Sequence, residues 1–179
     1  QLPNYDVVGM VGFFRRHGLD AARAGSLFDR GPTYRGRVDG LPTEYRRLLE
    51  GDVLRIGGRD WRVIVGYGHS PEHASLYCAE LEVLISGDML LPRISTNVSV
   101  MSSNPDGAPI RLFLDSISRY EALPEGTLVL PSHGRPFRGI HARVAQLEAH
   151  HRERFDALVA ACDTPKSACE LIPTLFKRE

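Results

Sequence analysis

Apolar positions change period along the 179 residues, and the changes predict the order of elements. Between residues 5 and 16, Val8, Met10, Val11, Phe13 and Phe14 recur at roughly helical spacing, and Arg15, Arg16 and His17 lead to a stop at Gly18. Residues 19–28 repeat the idea as a second short helix, with Asp20 near its start and Asp29-Arg30-Gly31-Pro32 as the break after it. Residues 51–65 alternate apolar and polar side chains around Gly57-Gly58, the pattern of a β-hairpin. A second strand pair is expected at 74–79 and 83–86, joined near Glu80-Leu81-Glu82. Residues 94–100 fit a further strand or, given their Ser, Thr and Asn content, a structured loop.

Helical spacing returns at 110–123, where Leu112, Phe113, Ile117, Tyr120 and Leu123 mark one face and Pro124 ends it. Residues 127–130 are wholly apolar between Gly126 and Pro131, as a buried strand would be. Beyond Gly139 one long helix is expected, with Val144, Leu147, His151, Phe155, Leu158 and Val159 along a stripe, until Asp163-Thr164-Pro165. Thr164 as cap and Pro165 in the first turn would then open a last helix. Trp61 and Tyr67 are most simply core. Strands and helices in this order fit an α/β layered domain.

Composition changes this picture little. The 22 basic and 22 acidic residues cancel, so no net field draws the chain to nucleic acid or an anionic membrane. No apolar run approaches the roughly 20 residues that span a bilayer. Cys78, Cys162 and Cys169 show no CxxC spacing, which argues against a disulfide framework or a zinc ribbon and for reduced thiols in a cytoplasmic protein. The chain opens on Gln1 and stops at 175–179 without a turn or cap, so both ends are expected to be cut.

The chemistry concentrates in three short segments, each placing a metal-binding side chain at the end of an expected strand: Gly68-His69-Ser70-Pro71-Glu72-His73, Ser86-Gly87-Asp88 and Pro131-Ser132-His133-Gly134. Two imidazoles and a carboxylate suit zinc, iron or manganese. Taken singly, a His or Asp beside a glycine is more often a turn residue than a ligand. The order of the three segments after successive strands is what raises them.

Those segments resemble the GHTPGH-type, SGD and P-x-H-G motifs of metallo-β-lactamase-fold hydrolases, in that order, and the likeness runs from about Gly51 to about Arg152. It is nearest to the glyoxalase-II-like and lactamase-like-2 branch. The resemblance implies part of an αβ/βα sandwich over residues 1–139, with helices at 5–48 and strands and site loops at 51–139, followed by a helical extension at 140–179. It also implies that His69 binds one metal, His133 a second, and Asp88, the catalytic carboxylate, bridges both. Two zinc ions are the expected cofactors, with iron or manganese as alternatives, and a water between them would be the nucleophile. His73 falls where the family varies and is expected beside the site rather than in it.

One departure is large: no two of the seven histidines stand in an H-x-H relation, so the family's H-x-H-x-D-H motif is absent. Each metal would keep one private ligand plus Asp88, short of the three or four that zinc uses. The segment carrying the motif is therefore expected upstream, and the chain as it stands is expected to be weakly active or inactive. A sheet short of those strands exposes an edge or apolar face, which would favour a homodimer. Arg93, Ser95 and Asn97 follow Asp88 on a loop placed to line a pocket, and Arg135 follows His133, where it would meet an anionic group of a small-molecule substrate. The leading expectation is a metal-dependent hydrolase of an ester, thioester or amide. An RNA phosphodiesterase of the same fold and a non-catalytic binding module stay open as alternatives, the first without an electrostatic footprint to favour it. No GxSxG elbow, P-loop or GxGxxG suggests another chemistry.

Overall fold

The protein is described by a computed structural model over residues 6–30 and 42–176, apart from the side chains of residues 28–30. Tyr5, the Gly31-Pro32 break and residues 177–179 lie outside the described residues. In chain order the elements are helices α1 (Val7–Arg16) and α2 (Ala21–Arg30), then strands β1 (Val53–Ile56), β2 (Arg59–Gly66), β3 (His73–Cys78) and β4 (Val83–Gly87). Helix α3 (Pro109–Ser118) continues into the 3-10 turn Arg119–Ala122, strand β5 (Leu128–Pro131) follows, and helices α4 (Ile140–Ala161) and α5 (Ala168–Leu175) close the list. The fold is thus mixed α/β. The chain divides into two compact units: Gln1–Tyr45, Met101–Pro105 and Arg152–Glu179 make one, and Arg46–Val100 with Asp106–His151 the other.

The second unit holds a five-stranded sheet in the order β1-β2-β3-β4-β5. The first three pairings are antiparallel and β4 runs parallel to β5, the crossover between them passing through α3. It follows that β2, β4 and β5 point the same way, so their C-terminal ends share one edge of the sheet with the N-terminal end of β3. One sheet face supplies Ile64, Tyr77, Leu84 and Val129 to the core, against Phe113 and Ile117 of α3, Tyr120 and Leu123 beyond it, and Ile140, Val144 and Leu147 of α4. Alternation explains the other face, where Val63 and Val65 are buried and Ile85 is exposed.

Two polar devices complete this packing. The Tyr120 hydroxyl lies 2.7 Å from Ser75 Oγ, and Ser75 Oγ in turn donates to the Ser86 carbonyl at 3.3 Å, so the buried hydroxyls are satisfied. Burial pushes the Tyr120 phenol from 10.0 up to about 12. At the edge of β2 beyond its pairing with β1, Glu50 accepts the Val65 N–H at 2.7 Å while Arg119 donates to the Val65 carbonyl at 2.8 Å. Arg119 and Glu50 also pair at 2.6 Å, so two side chains stand in for a neighbouring strand.

In the other unit, Asp6 caps α1 by accepting the Gly9 N–H at 2.8 Å, and the Asp20 carboxylate does the same for Arg23 at the start of α2 at 2.9 Å. The last helix starts later than Thr164 and Pro165 suggest. Ser167 caps α5, because Glu170 three residues on completes a reciprocal capping box that Thr164 has no partner to make.

Other expectations also need correction. Residues 94–100 form no strand, which leaves the loop of the two readings. Leu123 lies outside α3, which tightens to 3-10 geometry at Arg119. The stripe on α4 is buried only at its start: Phe155 is exposed and Val159 is 76% exposed. Tyr67 is 37% exposed rather than core, because it sits on the turn leaving β2 with its N–H bound to Ser116 Oγ at 2.9 Å, and Trp61 is half-buried.

Candidate metal centre

The edge where β2, β4 and β5 end gathers the three segments singled out in the sequence. His69 lies in the turn after β2, Asp88 directly follows β4, and His133 lies two residues past β5, with His73 opening β3 beside them. Gly68 makes the approach of His69 to α3 feasible: its φ is +100°, and a Cβ there would stand 2.5 Å from the Pro109 carbonyl and 2.6 Å from Phe113 Cβ. At β4 the register with β5 shifts between Ile85 and Gly87, an irregularity in the ladder immediately before Asp88.

Asp88 is the centre of the arrangement. Its Oδ2 lies 3.6 Å from His69 Nε2 and its Oδ1 lies 3.4 Å from His133 Nε2, so each carboxylate oxygen faces one imidazole. His69 Nδ1 is 2.9 Å from the Asn97 carbonyl, which can only accept, so Nδ1 carries the proton. In the neutral ring that leaves the Nε2 lone pair facing a carboxylate oxygen. A second proton on the ring or a metal ion between the two would satisfy both acceptors. His69 and Asp88 are 28% and 29% exposed at their side chains and His133 68%, so one side of the group is sheltered and the other open.

Neighbours hold Asp88 through its main chain and its carboxylate. Ser132 Oγ donates to Oδ1 at 2.7 Å, Thr96 Oγ1 donates to the Asp88 carbonyl, and the Asp88 N–H donates to His73 Nε2 at 3.2 Å. The Ser86 hydroxyl donates to the Leu90 carbonyl at 2.9 Å and tightens the same turn. The His73 ring is half-buried, and loss of hydration, then the neighbouring His69, hold its pKa below the usual 6.5 against the pull of Asp88.

The structure thus brings His69, Asp88, His133 and His73 together. Asn97 joins them through its main-chain carbonyl, while its side chain accepts from Ser99 Oγ at 3.2 Å. Arg93 and Arg135 are exposed, and neither is held in a hydrogen bond or ion pair among the described residues. Ser132 and Thr96 were not legible as site residues. A hydroxyl on a loop is common, and only the motif residue His133 next to Ser132 pointed there. Among the described residues no group of three or more His, Cys, Asp or Glu side chains forms one metal's ligand set. That follows from the geometry: the carboxylate divides its oxygens between two imidazoles instead of gathering them about one point.

In sequence and fold the chain is similar to known proteins. The family model for the metallo-beta-lactamase superfamily matches residues 8–133. The chain is 33% identical over 117 residues to the probable metallo-hydrolase YqgX of Bacillus subtilis (strain 168), covering 64% of this chain and 50% of that one. Among solved structures it is similar to a beta-lactamase domain protein from Burkholderia ambifaria, at 48% identity and a TM-score of 0.81 over 95% of this chain and 49% of that one. It is also similar to a metallo-beta-lactamase family protein from Thermus thermophilus, at 30% identity and a TM-score of 0.79 over 99% of this chain and 56% of the other. The chain spans about half the length of the relatives it matches.

Proposed function

The chain belongs to the metallo-beta-lactamase superfamily, and on that premise we propose that the protein is a metal-dependent hydrolase with a two-metal centre built around Asp88. His69 would hold one ion and His133 the other, with the Asp88 carboxylate shared between them. The observation that carries this reading is a spacing. Donors bound at 2.0–2.1 Å to one tetrahedral zinc stand roughly 3.3–3.4 Å apart. The pair Asp88 Oδ1 to His133 Nε2, at 3.4 Å, matches one such edge, and Asp88 Oδ2 to His69 Nε2, at 3.6 Å, stands slightly wider than a second.

The residues present therefore fit half of a binuclear site. Each ion has two donors here and zinc uses three or four, so the rest come from outside these 179 residues, and an H-x-H-x-D-H segment is the set the family resemblance supplies. Imidazole and carboxylate donors suit zinc first and admit iron or manganese. When bound, two such ions polarise a substrate oxygen and acidify a water toward neutrality. The chain's own groups set the stage for that chemistry. The Asn97 carbonyl fixes the tautomer of His69, and Ser132 steadies Oδ1 of Asp88. Arg93 and Arg135, exposed on the loops that follow Asp88 and His133, meet an anionic group on a small-molecule ester, thioester or amide.

The test is hydrolysis by the whole, metal-replete protein against a panel of carboxylic esters, thioesters and amides, with Asp88→Ala as control. Turnover that disappears in Asp88→Ala together with bound metal is the expected result. An Asp88→Ala protein that keeps its metal and its rate would remove Asp88 from the centre.

A further inference from the structure

His73 lies beside the three candidate ligands, yet neither of its nitrogens is available to an ion. Nε2 is 3.2 Å from the Asp88 amide nitrogen, whose hydrogen it accepts. Nδ1 is buried and has no hydrogen-bonding partner among the described residues. The ring is held in that orientation from two sides. His73 opens β3 paired with Gly66, and its imidazole occupies the space where residue 87 would carry a Cβ, which would stand 2.5 Å from Cε1 and 2.6 Å from Nε2. Gly87 is therefore the residue that admits the ring beneath Asp88.

We propose that His73 is a positioning residue for Asp88: its bare Nε2 fixes the Asp88 amide, and with it the direction in which the carboxylate is presented to His69 and His133. The claim about metal rests on the two-metal reading above, whereas the hydrogen bond itself does not. Asp88 has no strand neighbour to anchor its amide, since β4 ends at Gly87. Thr96 fixes its carbonyl and Ser132 its Oδ1, so His73 supplies the remaining anchor. An amide N–H is a donor only, so the ring nitrogen that meets it must be unprotonated and the ring's proton must sit on Nδ1.

Two measurements test the proposal. In 15N-labelled protein of this chain, long-range 1H–15N correlation of the His73 ring is expected to show the proton on Nδ1 and none on Nε2. A proton on Nε2 overturns the hydrogen bond. In the whole protein, zinc affinity measured by chelator competition is expected to fall about 10- to 100-fold in His73→Met, the usual effect of losing a group that orients a ligand. His73→Gln should stay close to wild type, because its amide oxygen reaches the place of Nε2. Thermal unfolding of both variants confirms that folded protein is compared. Equal affinity in His73→Met and wild type, or a His73→Gln as weak as His73→Met, overturns the positioning role. A wild-type protein that binds no zinc would sink the two-metal reading, and the ring tautomer would then decide the His73 hydrogen bond alone.

Discussion

Gly87 is constrained twice, by a φ of +53° and by the His73 ring, so Gly87→Ala is expected to cost at least roughly 1–2 kcal/mol from backbone conformation alone. Urea unfolding of this chain measures it, and an unchanged midpoint would mean that the ring and the turn adjust freely. Ser132→Ala removes the only side-chain donor to Asp88 Oδ1 among the described residues. It should lower the metal affinity of the whole protein by about tenfold without unfolding it, and chelator competition reads the difference. The three central residues were legible in the sequence because each sits in a short glycine-bearing motif whose order carries information. Their supports were not. Ser132 acts on Asp88 from 44 positions away, a relation that exists only once β4 and β5 lie side by side, and Thr96 from 8 positions away, by the way the loop after Asp88 folds back. Tyr67 is the opposite case, since aromatic character says nothing about a residue placed on an exposed turn.

The strands were the most legible elements, because alternation in residues 51–65 and the apolar run before Pro131 are both strong signals. The start of the last helix is hard to read from sequence because two competing caps, Thr164 and Ser167, lie three residues apart. The capping box decides between them, and Ser167→Ala should fray α5 at a cost of about 1 kcal/mol, visible as faster amide exchange at Glu170. The Tyr120–Ser75 contact ties the segment after α3 to β3. With the phenol raised from 10.0 to about 12, Tyr120 stabilises the fold fully below pH 10. The unfolded chain ionises there first, so that contribution is lost as pH rises toward about 12. Unfolding midpoints of wild type and Tyr120→Phe should therefore converge over that range, and curves that stay parallel would show that the hydroxyl is not held as described.

At the scale of the whole molecule, membership of the superfamily and the incomplete ligand set have to be read together. The sequence disclosed both, through the motifs it has and the H-x-H-x-D-H it lacks, but it did not disclose that one carboxylate would divide its oxygens so evenly between two imidazoles. With only two donors offered to each ion, this chain alone is expected to bind zinc far more weakly than a chain that also carries an H-x-H-x-D-H segment. The most direct test of the account is metal content by plasma emission spectrometry on the whole protein, with and without Asp88→Ala. About two equivalents per chain in the wild type, as a two-metal site requires, lost in Asp88→Ala, is the expected result; wild-type protein purified and reconstituted without bound metal would contradict it.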